Sequence, residues 1–164
     1  MSATVQTCLW FDHSAEAAAR AYVALIPGSQ ILQVFPNRAD PAQAFLVHLS
    51  LAGQRYAFLN GGPHYQLSPA VSIQAYVEDQ AMLDRLWDGL VADGGREMQC
   101  GWLVDRFGLS WQIVPTVLPR LMQEGGEVAE RVMRAMFTMV RLDIAALEAA
   151  ARGPTGPAGA ADAG

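Results

Sequence analysis

The stretch CGWLVDRFGLSWQIVP occupies residues 100–115 and reads as strand, tight turn, strand, stop. Asp105 enters the turn, and Gly108 permits a positive φ there. Leu109, Trp111 and Ile113 then alternate with Ser110, Gln112 and Val114, which is the period-two pattern of a strand with one apolar face. The other face carries a lone amide, Gln112. An amide half-buried in a strand needs a hydrogen-bond partner. Gln112 therefore either reads a ligand or satisfies a neighbouring strand's backbone.

Working outward, residues 4–11 (TVQTCLWF) read as a strand, and Asp12 and Ser14 can cap a helix. Ala15, Ala18, Ala19, Tyr22 and Ile26 fall at helical spacing, and Pro27-Gly28 stops the helix. SQILQVF, AFLVHLSL and RYAFLN complete a β-α-β-β-β order, with Gly53-Gln54 as a short turn. Asn60-Gly61-Gly62-Pro63 opens a loop, and the scheme restarts with AVSIQAYV at 70–77. Asp79 can cap a helix striped by Leu83, Leu86, Trp87, Leu90 and Val91, ended by Gly94-Gly95. Strands are predicted at about 96–103 and 109–114. The halves correspond at an offset of roughly 65–66 residues: Phe11-Asp12 answers Val77-Glu78, Tyr22 answers Trp87, and Gly28 answers Gly94.

After Pro115 the pattern is helical. TVLPRLMQEG reads as a short helix or turn interrupted by Pro119, and 126–150 as one longer helix striped by Val132, Met133, Met136, Val140, Ile144 and Leu147. Four of the seven methionines lie between 122 and 139. Such a stripe of flexible side chains is expected to pack on the sheets or on a second subunit. The ending ARGPTGPAGAADAG has no periodicity, so 152–164 reads as a flexible tail.

The 164 residues suit one domain or two small repeats sharing a core, and 52% hydrophobic residues supply that core. A net charge of −5 with no basic run argues against nucleic-acid binding. No apolar run approaches the roughly 18 residues of a membrane span, and MSATVQT lacks an export pattern. The expectation is a cytoplasmic chain in which Cys8 and Cys100, both in strand-like segments, are reduced core thiols.

Specific strings carry a resemblance. LWFD at 9–12, FLNGGP at 58–63, DRLWDGL at 84–90, QCGWLVDRFGLSWQIVPTVLP at 99–119, and RVMRAM with LDIAAL in the last helix resemble the PhnB-like branch of the vicinal oxygen chelate superfamily. That superfamily includes glyoxalase I, extradiol dioxygenases, and bleomycin- and fosfomycin-resistance proteins. The resemblance covers about residues 4–150. It implies an α+β fold of paired βαβββ modules forming a cup-shaped mixed sheet, with a C-terminal helical extension. One domain would span 1–151, with module one at about 4–60, module two at about 70–115 and the extension at 116–150. The branch is often labelled 3-demethylubiquinone methyltransferase-like. A methyltransferase of the usual α/β type needs a glycine-rich loop between strand and helix, and the sequence shows none.

The resemblance also implies where a metal would be held. Active members draw His or Glu ligands from the first strand, the end of the fourth, the start of the fifth and the last. Those places here offer Thr7, Phe58 or its neighbours up to Asn60, Ser72 and Gln112. None is His or Glu, so no metal and no cofactor is expected. Thr7, Phe58, Asn60, Ser72, Tyr76 and Gln112 are instead the candidate ligand-binding residues, with Tyr76 as an aromatic wall sharing a strand face with Ser72 and Gln74. No residue is singled out as catalytic. The function expected is binding of a small organic molecule in the cup. The alternatives are a glyoxalase- or dioxygenase-type enzyme with an atypical metal site, and a structural dimer without ligand. The expected partner is a second copy of the chain.

Overall fold

The computed structural model describes residues 3–153, so the tail reading falls, from residue 154 on, outside the described residues. The chain divides into two compact units. One runs up to Ser72 and takes in short returns at 92–95 and 104–110; the other comprises 73–91, 96–103 and 111 onward.

The first unit is built on β1 (Thr7–Phe11), α1 (Ala15–Leu25), β2 (Gln30–Pro36), β3 (Ala44–Leu51) and β4 (Gln54–Asn60). Its sheet order is β1-β4-β3-β2, with β1 parallel to β4 and the other neighbours antiparallel. The α1 stripe buries Ala15, Ala18, Ala19 and Tyr22. Val47, Leu49 and Phe58 are fully buried, as are most of Leu9 and Phe11. The Phe58 ring lies 5.0 Å from that of Phe11 and meets Tyr22 edge-on at 5.8 Å. The Tyr22 hydroxyl donates to buried Asp105 at 2.5 Å, while the other oxygen of Asp105 accepts from the Phe107 and Leu109 amides. Asp105 thus ties the 104–110 return to α1.

Apart from the strand-end residues Ser72, Val104 and Ser110, which fall to the first unit, the second unit carries β5 (Ser72–Val77), α2 (Gln80–Val91), β6 (Arg96–Glu97), β7 (Trp102–Val104), β8 (Ser110–Pro115), α3 (Val117–Gln123), α4 (Gly126–Met136) and α5 (Ile144–Arg152). Its order, β5-β8-β7-β6, repeats that of the first sheet: first strand beside fourth, then third, then second. β1 and β5 begin 65 residues apart, and so do α1 and α2. The fold class is α+β with two open four-stranded sheets, as the resemblance implied. Leu109, Trp111 and Ile113 are fully buried, as their alternation required. Asp79 caps α2 by accepting from the Met82 amide at 2.7 Å.

Five local expectations are corrected. Ser14 makes no side-chain cap on α1; the Asn60 side-chain oxygen Oδ1, at the end of β4, takes that role, accepting from the Ala15 amide at 2.8 Å. The β3–β4 turn is Ala52-Gly53, both at positive φ. The 96–103 strand is two strands, because Cys100 and Gly101 adopt left-handed backbone and donate their amides to the Met139 and Val140 carbonyls. The helix expected at 126–150 is therefore also two. Residues 137–143 leave the helix where those carbonyls face the 100–101 turn, and Asp143 restarts it by capping α5 through the Ala146 amide at 2.8 Å. Pro119 does not interrupt α3: it sits in the first turn, where no intrahelical N–H bond is lost.

Candidate functional site

Strand alternation decides which side chains can share a surface. In the first sheet Leu9 pairs with Phe58, Phe11 with Asn60, and Thr7 with Tyr56. This row contains the buried residues packed against α1, so it is the helix-side face. Thr7 lies at its exposed end. Phe58 is 0% exposed and occupied by Phe11 and Tyr22. The Asn60 amide is committed at both ends, accepting from Ala15 N and donating to Ala44 O at 2.8 Å.

The opposite face of that sheet holds residues outside the candidate ligand-binding set. Cys8, Ala57 and His48 align across three strands, followed by Trp10, Leu59 and Leu46. The Gln6 amide nitrogen stands 3.4 Å from His48 Nε2, and the Phe35 ring meets His48 edge-on at 5.2 Å. Cys8 is exposed rather than a core thiol. Partial desolvation nonetheless holds its pKa above the ordinary value, so at neutral pH it is a thiol, not a thiolate nucleophile. Cys100 is half-exposed in its turn. The alternation of β3 signalled this face, since His48 lies opposite in phase to fully buried Val47 and Leu49.

In the second unit Gln112 and Tyr76 come together through Gln74. The Gln74 amide donates to Gln112 Oε1 at 2.9 Å, and the Tyr76 hydroxyl donates to Gln74 Oε1 at 3.2 Å. Tyr76 is 55% exposed and Gln112 half-buried. Ser72 begins β5 on the face that alternation gives to Gln74 and Tyr76. These side chains offer hydroxyl and amide donors and acceptors without formal charge.

The profile of the family described as 3-demethylubiquinone-9 3-methyltransferase matches residues 3–114. The chain belongs to that family. Solved structures similar to this PhnB-like chain include a putative 3-demethylubiquinone-9 3-methyltransferase, PhnB protein, from Bacillus cereus, with 22% identity, TM-score 0.64, and 70% of this chain and 100% of that one covered. A protein from Pseudomonas aeruginosa has 18% identity and TM-score 0.58 over 70% and 98% of the two chains. A genomically encoded fosfomycin resistance protein from Listeria monocytogenes has 13% identity and TM-score 0.53 over 74% and 98%. At these identities the likeness is one of fold, and the fold is that of the vicinal oxygen chelate superfamily. No curated protein matches the chain. The family match ends at Val114, so α3, α4 and α5 lie beyond it.

A divalent metal, which the fold family implies, does not fit the donors present. A catalytic site wants about three imidazole, thiolate or carboxylate ligands. The places the resemblance assigns to ligands carry two hydroxyls, an aromatic ring and amides. Among the described residues no group of three or more His, Cys, Asp or Glu side chains stands within reach of one ion. No helix there is long and apolar enough to cross a membrane.

Proposed function

We propose that this PhnB-like chain binds a small organic molecule on the polar face of β5 and β8 without a metal ion, and that it does so as a homodimer. The observation carrying the binding reading is the Tyr76–Gln74–Gln112 hydrogen-bond chain. It holds an amide in a fixed orientation at the strand position where the resemblance places an acidic metal ligand. An amide there no longer supplies the negative charge that offsets the desolvation of a divalent cation. It can still donate and accept hydrogen bonds with a neutral organic group. A methyl-transfer reaction is not inferred from the family description: Asn60-Gly61-Gly62-Pro63, the glycine-rich turn after β4, leads into a loop rather than a helix.

The test is a thermal-shift screen of small organic compounds on metal-stripped protein, repeated with Zn²⁺, Mn²⁺ or Ni²⁺. A ligand that binds only the folded state raises the melting temperature. Compounds should do so equally with and without metal, and the ions alone should not. For a hit, Gln112→Leu should weaken binding by about 1–3 kcal/mol, the cost of stranding a buried polar group. A stoichiometric ion that raises the melting temperature would overturn the metal-free reading.

A further inference from the structure

We propose that two copies of the chain pair through α4, antiparallel across a two-fold axis at Met133, with Glu130 of each copy opposite Arg134 of the other. The inference rests on the homodimer reading above and adds to it a surface and an orientation. Every residue it uses belongs to the second unit. α4 buries Val132 against that unit. On another face Gly126, Glu130, Met133 and Phe137 recur at intervals of four, three and four, and all four are exposed. Phe137, the C-cap, keeps helical backbone and so continues the spacing. Positions spaced in this way form one seam along a helix.

The charges along this seam are self-complementary. Glu127 and Glu130 stand in the first half of α4, Arg131 and Arg134 in the second. A parallel pairing would set like charges side by side and align the two helix dipoles. An antiparallel pairing sets the acidic half of each helix on the basic half of the other, and a two-fold axis makes that contact twice. Arg131 is already engaged: it reaches Glu127 at 3.6 Å and donates to the Ala150 and Ala151 carbonyls. Glu130 and Arg134 are four residues apart, in the order that favours a pair within one helix. Neither nonetheless makes an ion pair among the described residues, which leaves both charges for a partner. With Met133 on the axis, Glu130 falls opposite position 136 of the second copy. Arg134 of that copy is then two residues, or about 3 Å, away along the helix, within reach of two long side chains. Phe137 falls opposite Ala129, whose small side chain leaves room for the ring.

Sedimentation equilibrium of the full chain tests this with two single variants, Glu130→Arg and Arg134→Glu. Both positions are exposed, and circular dichroism checks that the fold is intact. Each variant by itself sets like charges against each other twice, so its dimer dissociation constant should rise roughly tenfold or more. Mixing the two variants returns opposite charges to both contacts. The mixture should therefore form a heterodimer about as tightly as the unaltered chain pairs with itself. An effect confined to one helix would not be mended by mixing. If either variant misfolds, a salt titration of the unaltered dimer takes its place: the dissociation constant should rise with salt, and indifference to salt would overturn the charge pairing. Variants that dimerise as the unaltered chain does, or a mixture no tighter than either variant, would overturn the antiparallel pairing and leave the homodimer reading standing. A monomeric unaltered chain would overturn both.

Discussion

At Gly61 a Cβ would stand 2.2 Å from the Trp10 indole. The indole cannot easily yield, because its Nε1 donates to the Gly62 carbonyl at 2.8 Å and its ring meets Tyr65 edge-on at 5.1 Å. Gly61→Ala should therefore destabilise the fold by about 1–3 kcal/mol, the range for an overfilled contact. Chemical denaturation measures it, and an unchanged midpoint would mean that Trp10 swings aside at no cost. The sequence marked this stretch as the opening of a loop but not what it grips, since a glycine required by a ring 51 positions away leaves no local pattern. Phe58 and Asn60 show the same limit. Their residue types suit a binding wall, but the one-residue phase of β4 against β1 puts them on the helix side. Cys8 is the converse, a residue read as core that the same phase exposes. Its raised pKa predicts that the pH–rate profile of Cys8 alkylation by iodoacetamide has its midpoint above the ordinary thiol value of about 8.5. A midpoint at or below that value would contradict that desolvation.

Among the elements, long periodic segments were legible and their interruptions were not. The stripes of α1 and α2 declared themselves because each buries four side chains on one face. The apolar stripe of 126–150 was equally clear, yet the chain leaves the helix at 137–143. The cause lies elsewhere in sequence: the Cys100 and Gly101 amides bond to Met139 and Val140. Gly101 is fixed there twice over, by its positive φ and by Ile113 O and the Leu142 side chain, each 3.0 Å from any Cβ. Three anchors hold the link to α2. Arg141 reaches Asp84 and Asp88, the Gln80 amide donates to Leu142 O, and Gln80 Oε1 accepts from the Ile144 amide. The cap that restarts the helix is the sharpest probe of this break. Asp143→Ala should cost about 0.5–2 kcal/mol, read by urea denaturation. No change would mean that Gln80 suffices to hold the start of α5.

At the scale of the molecule, the repeated β-α-β-β-β order explains residues up to Pro115 but assigns no task to α3, α4 and α5. These helices follow the family match, and Val132 of α4, Leu147 of α5 and Leu142 of the link between them are buried within their own unit. They also leave an apolar remainder: Phe137 is 60% exposed and Met133 37%. Phe137 is the C-cap of α4 and its amide bonds to Met133 O, so the two side chains, four residues apart, lie on one face, and an exposed apolar patch of that kind marks an interaction surface more often than a solvated one. The homodimer reading assigns this face to a second copy. Light scattering at micromolar concentration should then give about twice the 17.7 kDa chain mass. The double variant Met133→Glu, Phe137→Glu would place like charges opposite each other across a two-fold axis. It should return a monomer with an unchanged circular dichroism spectrum. A monomer from the unaltered chain would sink the idea, and a dimer indifferent to both charges would keep the pairing but move it off α4.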